Sequence, residues 1–213
     1  MSKRNLEARD GGNDGRELRF STGLQVRAGD ADNPPTVEGY AAVFDEETRI
    51  GGYFDEVIRA GAFKNALARG DDVVFLINHD GLPLARTRSG TLELKEDKKG
   101  LLMRAELDPS DPDVQRILPK MERGDLDKMS FAFWPEQEIW TDRDGDDELP
   151  LREITDLRLH DVAIVTTPAY DGTEIGLRGL QRYKDQQSDK GGEARKRRMR
   201  MKTELAARNA KEI

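Results

Sequence analysis

The chain has 213 residues, a formal net charge of −7, 36% hydrophobic and 36% charged side chains, and no cysteine. The charged share exceeds the roughly 25% of an average globular chain, so the length suits one domain with a modest core and polar appendages. The missing cysteines exclude a disulfide scaffold, a thiolate zinc site and a cysteine nucleophile. Only two histidines, His79 and His160, are present, which speaks against a multi-histidine metal site. No apolar run approaches a membrane span or a secretory leader, so a soluble protein of a reducing compartment is expected, with no membrane partner and no cofactor.

Residues 1–17 are polar and rich in Gly and Asp, which predicts a disordered leader. The folded part is expected over 18–180. Leu18-Arg-Phe20 and Leu24-Gln-Val-Arg27 alternate apolar and polar residues, and Val37 to Phe44 reads as a strand. Ala60 to Ala68 suits a helix with Phe63 and Leu67 on one face. Val73-Val-Phe-Leu-Ile77 is a continuous β-favouring run, the pattern of a strand covered on both faces. Thr91 to Lys95 and Leu101 to Leu107 flank a polar turn ending in Gly100, which predicts a hairpin. Asp111 to Arg123 opens with an Asp cap and Pro112, and Pro119 is expected to kink or divide that helix.

Lys128 to Trp134 predicts a strand stopped by Pro135. Glu136 to Trp140 and Leu151 to Ile154 predict a pair around the acidic loop Asp142 to Glu148, and Leu157 to Val165 a last strand closed by Pro168. Many short strands with two or three helices predict an α+β fold: a mainly antiparallel β-barrel or sandwich with a few peripheral helices. Residues 181–213 form a basic tail, flexible or helical. Lys184 to Ile213 holds ten Lys/Arg against five Asp/Glu, so the remainder of the chain is strongly acidic. A solvated tail explains this charge, and so does a tail that meets acidic scaffold or nucleic acid through charge.

Three positions hold side chains suited to acyl transfer. Ser130 alone among the serines lies in a strongly apolar strand. By the two-residue period it shares a face with Ala132 and Trp134, opposite Met129, Phe131 and Phe133. A core serine bonded to backbone explains it, and so does a nucleophile. His79 leaves the buried run just before Asp80-Gly81, a place for a turn histidine or for a base held at a cleft. Asp161 has the strand parity of Leu157, Leu159, Ala163 and Val165, which points it where apolar residues point and demands a cationic or N–H partner. A hydroxyl needs an imidazole to take its proton, and the imidazole needs an acid to fix its tautomer. The order His, Ser, acid matches neither the Gly-x-Ser-x-Gly hydrolases nor the chymotrypsin or subtilisin orders, so order alone decides nothing.

Five blocks change the odds. Gly39 to Phe44, Ile58 to Phe63, Leu76 to Asp80, Met129 to Phe133 and His160 to Tyr170 resemble, in order, the motif blocks of HK97-type phage prohead proteases, a family related to the herpesvirus assemblins. Each block is weak alone; five in sequence are specific. The resemblance implies an assemblin-like barrel and a serine endopeptidase acting in the host cytoplasm inside the assembling prohead. It would cut scaffold, or the scaffold-like part of the major capsid protein, and often itself. It carries the motif histidine onto His79 and the motif serine onto Ser130. The acid falls on Asp161, with His160, by the assemblin Ser-His-His pattern, and Asp156 as rivals. Met129 stands where the family more usually has a small residue. A homodimer is an expectation by analogy with assemblins.

Overall fold

The computed structural model describes residues 16–22, 24–27, 29, 33–143, 145, 148–167 and 177–187. The chain divides into two compact units, Met1–Ile175 and Gly176–Ile213. In the second, residues 177–187 are helical. The rest of the predicted basic tail, and residues 1–15 of the predicted leader, lie outside the described residues. Glu17, placed in that leader by composition, instead opens a strand and is fully buried.

The first unit has eleven strands and two short helices among the described residues. In chain order they are β1 (Glu17–Thr22), β2 (Gln25–Arg27), β3 (Thr36–Val43), β4 (Thr48–Ile50), β5 (Phe54–Ile58), α1 (Lys64–Arg69), β6 (Val74–Ile77), β7 (Asp80–Arg86), β8 (Leu92–Glu96), β9 (Gly100–Glu106), α2 (Pro112–Glu122), β10 (Lys128–Thr141) and β11 (Leu151–Val165). The fold is α+β and mostly strand. Strands β2-β3-β9-β8 make one antiparallel sheet; the other runs β1-β10-β11-β5-β4, with β6 and β7 added at β11.

The expected closed barrel is not formed. Closure needs a partner on both edges of every strand, whereas among the described residues β1 pairs with β10 alone, β4 with β5, and β7 with β6. Nor is the large sheet wholly antiparallel. Strand β11 runs antiparallel to β10 along its length, but its other edge takes two parallel partners, β5 at Leu151–Ile154 and β6 at Asp161–Ile164. Between them α1 covers the edge: Asn65 Nδ2 donates to Asp156 Oδ2 at 2.8 Å, and an Arg69 guanidinium N–H donates to the Leu157 carbonyl at 3.2 Å. The parallel pairing with β11 agrees with the continuous apolar run at β6.

Two prolines do not end the elements that carry them. Pro135 does not stop β10, because it lies beyond the Glu17–Phe133 end of the β1 pairing and beside a bulge, two settings where a sheet tolerates proline. Pro119 lies inside the unbroken helix α2, on its exposed face, where the missing N–H falls toward the solvent side of the helix and not its buried face. That helix starts as its sequence requires, with the Asp111 carboxylate accepting from Asp113 N at 2.8 Å, and it buries Val114, Ile117 and Met121.

The core lies between the two sheets. Met129, Phe131 and Phe133 of β10 enter it, as the two-residue period predicts. Phe131 stacks on Phe133 at 5.1 Å between centroids and meets Phe63 edge-on at 5.5 Å. Beside these rings lies a buried charge network that the sequence did not reveal. Glu17 and Arg19 of β1, Glu56 of β5, Glu138 of β10 and Arg152 of β11 join four neighbouring strands through ion pairs of 2.5–2.9 Å.

Candidate active site

The three predicted residues come from one sheet and meet on the face away from the core. Ser130 sits on β10 with Ala163 of β11 opposite it, and Ala132 stands opposite Asp161. Directly opposed residues of an antiparallel pair project to the same side. Asp161 therefore shares the Ser130 face, not the core face that simple alternation gave it. The cause is an irregularity: Ala132 pairs with Asp161, while Phe133 pairs with Leu159, so His160 is an extra residue in β11. The bulge reverses the alternation, so that Leu157 and Leu159 reach the core before it and Val162 and Ile164 after it.

His79 lies inside the β6–β7 turn, not before it. Ile77 pairs with Asp80, which makes Asn78 and His79 a two-residue loop, and both have positive φ, 52° and 59°. That is the pattern of a type I′ hairpin turn, whose second position favours glycine. The Asn78 carboxamide oxygen accepts from Thr166 N at 2.9 Å, and from the Thr166 hydroxyl at 3.2 Å. Asn78 N donates to the Ile164 carbonyl at 2.9 Å. The turn is thereby fastened at Ile164 and Thr166, three and five residues beyond Asp161.

The geometry is a continuous relay. His79 Nδ1 lies 2.5 Å from Asp161 Oδ1, and His79 Nε2 lies 2.7 Å from Ser130 Oγ. A carboxylate only accepts, so Nδ1 carries the proton and Nε2 is left to accept from the hydroxyl. Asp161 is fully buried and Ser130 nearly so, while the His79 side chain keeps 12% exposure. Such an arrangement can draw the serine proton onto the imidazole and stabilise the resulting imidazolium.

The rivals for the acid make other contacts, Asp156 at a distance along β11 and His160 beside Asp161 itself. Asp156 accepts from Asn65 and from Leu157 N, far along β11. His160 meets the Trp134 ring edge-on at 5.0 Å, with Nε2 3.8 Å from Asp161 Oδ2. Sequence reasoning missed two residues beside the three, Asn78, which ties down the turn, and Arg16, whose Nη1 lies 3.8 Å from Asp161 Oδ2. An Asn between a β-run and Asp-Gly is a readable turn signal. Arg16 lay in the polar leader and gave none.

The turn yields a stability prediction. His79→Ala and His79→Gly both delete the imidazole, but only Gly relieves the left-handed backbone. The Gly variant is expected to be more stable than the Ala variant by about 1 kcal/mol, read from denaturant midpoints. Equal midpoints would mean that the turn stores no strain.

Comparison with known proteins places this relay in context. The prohead protease of Enterobacteria phage HK97 is 36% identical over 99 residues, 45% of this chain, and the match spans 40% of that protein's length. The solved capsid assembly protease of bacteriophage T4 aligns with TM-score 0.46 and 12% identity over 72% of this chain and 99% of that one. Residues 22–186, most of the folded part and all three relay residues, match the caudovirus prohead serine proteases. The chain belongs to the caudovirus prohead serine protease family.

Proposed function

We propose that this chain is a serine endopeptidase of phage capsid maturation, with Ser130 as nucleophile, His79 as general base and Asp161 as the acid that orients it. The observation that carries the reading is the unbroken Asp161–His79–Ser130 line of hydrogen bonds. In acylation, Ser130 Oγ attacks the scissile carbonyl carbon as its proton passes to His79 Nε2. The same proton then goes to the departing amine, which leaves an acyl ester on Ser130. Water, deprotonated by His79, hydrolyses that ester and restores the hydroxyl. Because an imidazolium has no lone pair for the serine proton, activity falls when His79 is protonated.

The substrates in this reading are scaffold, or the scaffold-like region of the major capsid protein, and the chain itself, all inside the assembling prohead. A homodimer, and a basic tail that meets acidic scaffold or nucleic acid, belong to the same reading. Family membership supports it, together with a nucleophile already hydrogen-bonded to its base.

A fluorophosphonate, which phosphonylates activated serines, tests the site directly. The expected result is one adduct at Ser130, located by mass spectrometry of peptides and lost in His79→Ala. No adduct, or labelling of another serine at the same rate, would refute the assignment.

A further inference from the structure

Asp161 presents two oxygens, and the relay uses one. Oδ1 takes the His79 ring; Oδ2 is buried and makes no hydrogen bond among the described residues. A wholly buried carboxylate needs a compensating charge. Among the described residues, two cation-forming groups stand near Oδ2: Arg16 Nη1 at 3.8 Å and His160 Nε2 at 3.8 Å. They are not equivalent. A guanidinium is charged at every working pH, whereas the His160 side chain is 39% exposed and carries charge only when protonated.

Arg16 immediately precedes β1, and β1 pairs directly with the strand that bears Ser130, Glu17 opposite Phe133. Its guanidinium thus approaches the carboxylate from the nucleophile's own side of the sheet, while His79 approaches from β6–β7. We infer that Arg16 is a positioning residue, which grips the second oxygen of Asp161 so that the first stays aimed at His79. The inference rests on the proposed roles of those two residues and deepens them.

Arg16 also moderates the field at the imidazole. The charged and titratable groups facing Asp161 among the described residues are Arg16 from the segment before β1, His79 from the β6–β7 turn and His160 from β11 itself; Asp80, next to His79, is exposed. A fixed positive charge beside Asp161 offsets part of the carboxylate's attraction for an imidazolium. Without it, His79 holds a proton more readily.

The test is the titration of the His79 ring, followed by NMR on the full-length chain labelled at histidine, in a Ser130→Ala background that prevents self-cleavage. With only two histidines, a His160→Gln sample assigns the two signals. In Arg16→Gln the His79 midpoint is expected to rise by roughly half to one pH unit, and Arg16→Lys is expected to return it close to the starting value. Arg16→Met keeps the aliphatic stem and must show the same rise, so it carries the test if the Gln variant does not fold. A His79 midpoint unmoved in the folded neutral variant overturns the inference. The titration needs no turnover, so an Arg16 effect in a chain without peptidase activity would sink the proposed function and leave this inference standing.

Discussion

Ser130→Ala is expected to leave the phage capsid subunit at full length when the two are made together, while the wild-type chain shortens it. Against a peptide substrate the loss in kcat is expected to reach about 10⁵–10⁶-fold, the scale seen when a serine protease loses its nucleophile. Asp161→Asn is expected to lose about 10⁴-fold, because an amide facing Nδ1 favours the wrong imidazole tautomer. Neither change empties a large volume. Ser130→Ala removes one hydroxyl and its bond to Nε2, for which about 1 kcal/mol is the usual scale. Near-native melting with abolished cleavage would separate chemistry from folding. If Ser130→Ala shortened the subunit as the wild type does, the hydrolytic role would fail. The rival, an assembly protein that keeps the fold without the reaction, would then stand.

Local alternation explains why part of this site was legible and part was not. Met129, Phe131 and Phe133 turn to the core and Ser130 away from it because β10 is regular through that stretch. The β8–β9 hairpin was legible for the same reason, two alternating runs around a polar turn. The face of Asp161 was not, since one extra residue at His160 inverts every later assignment in β11 and no composition signal marks a bulge. The open edges and parallel partners of the large sheet were hidden because they pair segments distant in sequence. Arg152 was hidden because an arginine in a strand reads as surface until its partners are known. His79, Ser130 and Asp161 entered as a set through motif resemblance. Periodicity alone left each with an ordinary structural explanation, and only their mutual distances distinguish a relay from three unrelated polar residues.

Arg152→Met should bring the largest loss of stability. The guanidinium is 1% exposed and donates to Glu17, Glu56 and Glu138, and it lies against the Phe54 and Trp140 rings. Methionine fills much of the space but leaves three carboxylates with Arg19 as the remaining cation of the network. Breaking a buried ion pair by removing one partner costs about 3–5 kcal/mol, and that loss is expected in denaturant midpoints at neutral pH. The pH dependence identifies its origin. Burial pushes the Glu17 carboxyl up, but hydrogen bonds from Arg152 and the charges of Arg19 and Arg152 outweigh it, so its pKa lies below the ordinary glutamate value. A depressed acid contributes stability that is complete above the unfolded carboxylate range, near pH 4.3, and is lost as pH falls through the lower folded value. Without Arg152, burial dominates and the folded pKa moves upward. The variant then binds protons on folding and recovers stability as pH falls from 7 to 5, a gain that the depressed Glu17 of the wild type does not supply. The gap between the two proteins must therefore narrow on acidification. A gap of constant size would trace the loss to packing against Phe54 and Trp140 and not to the stranded carboxylates.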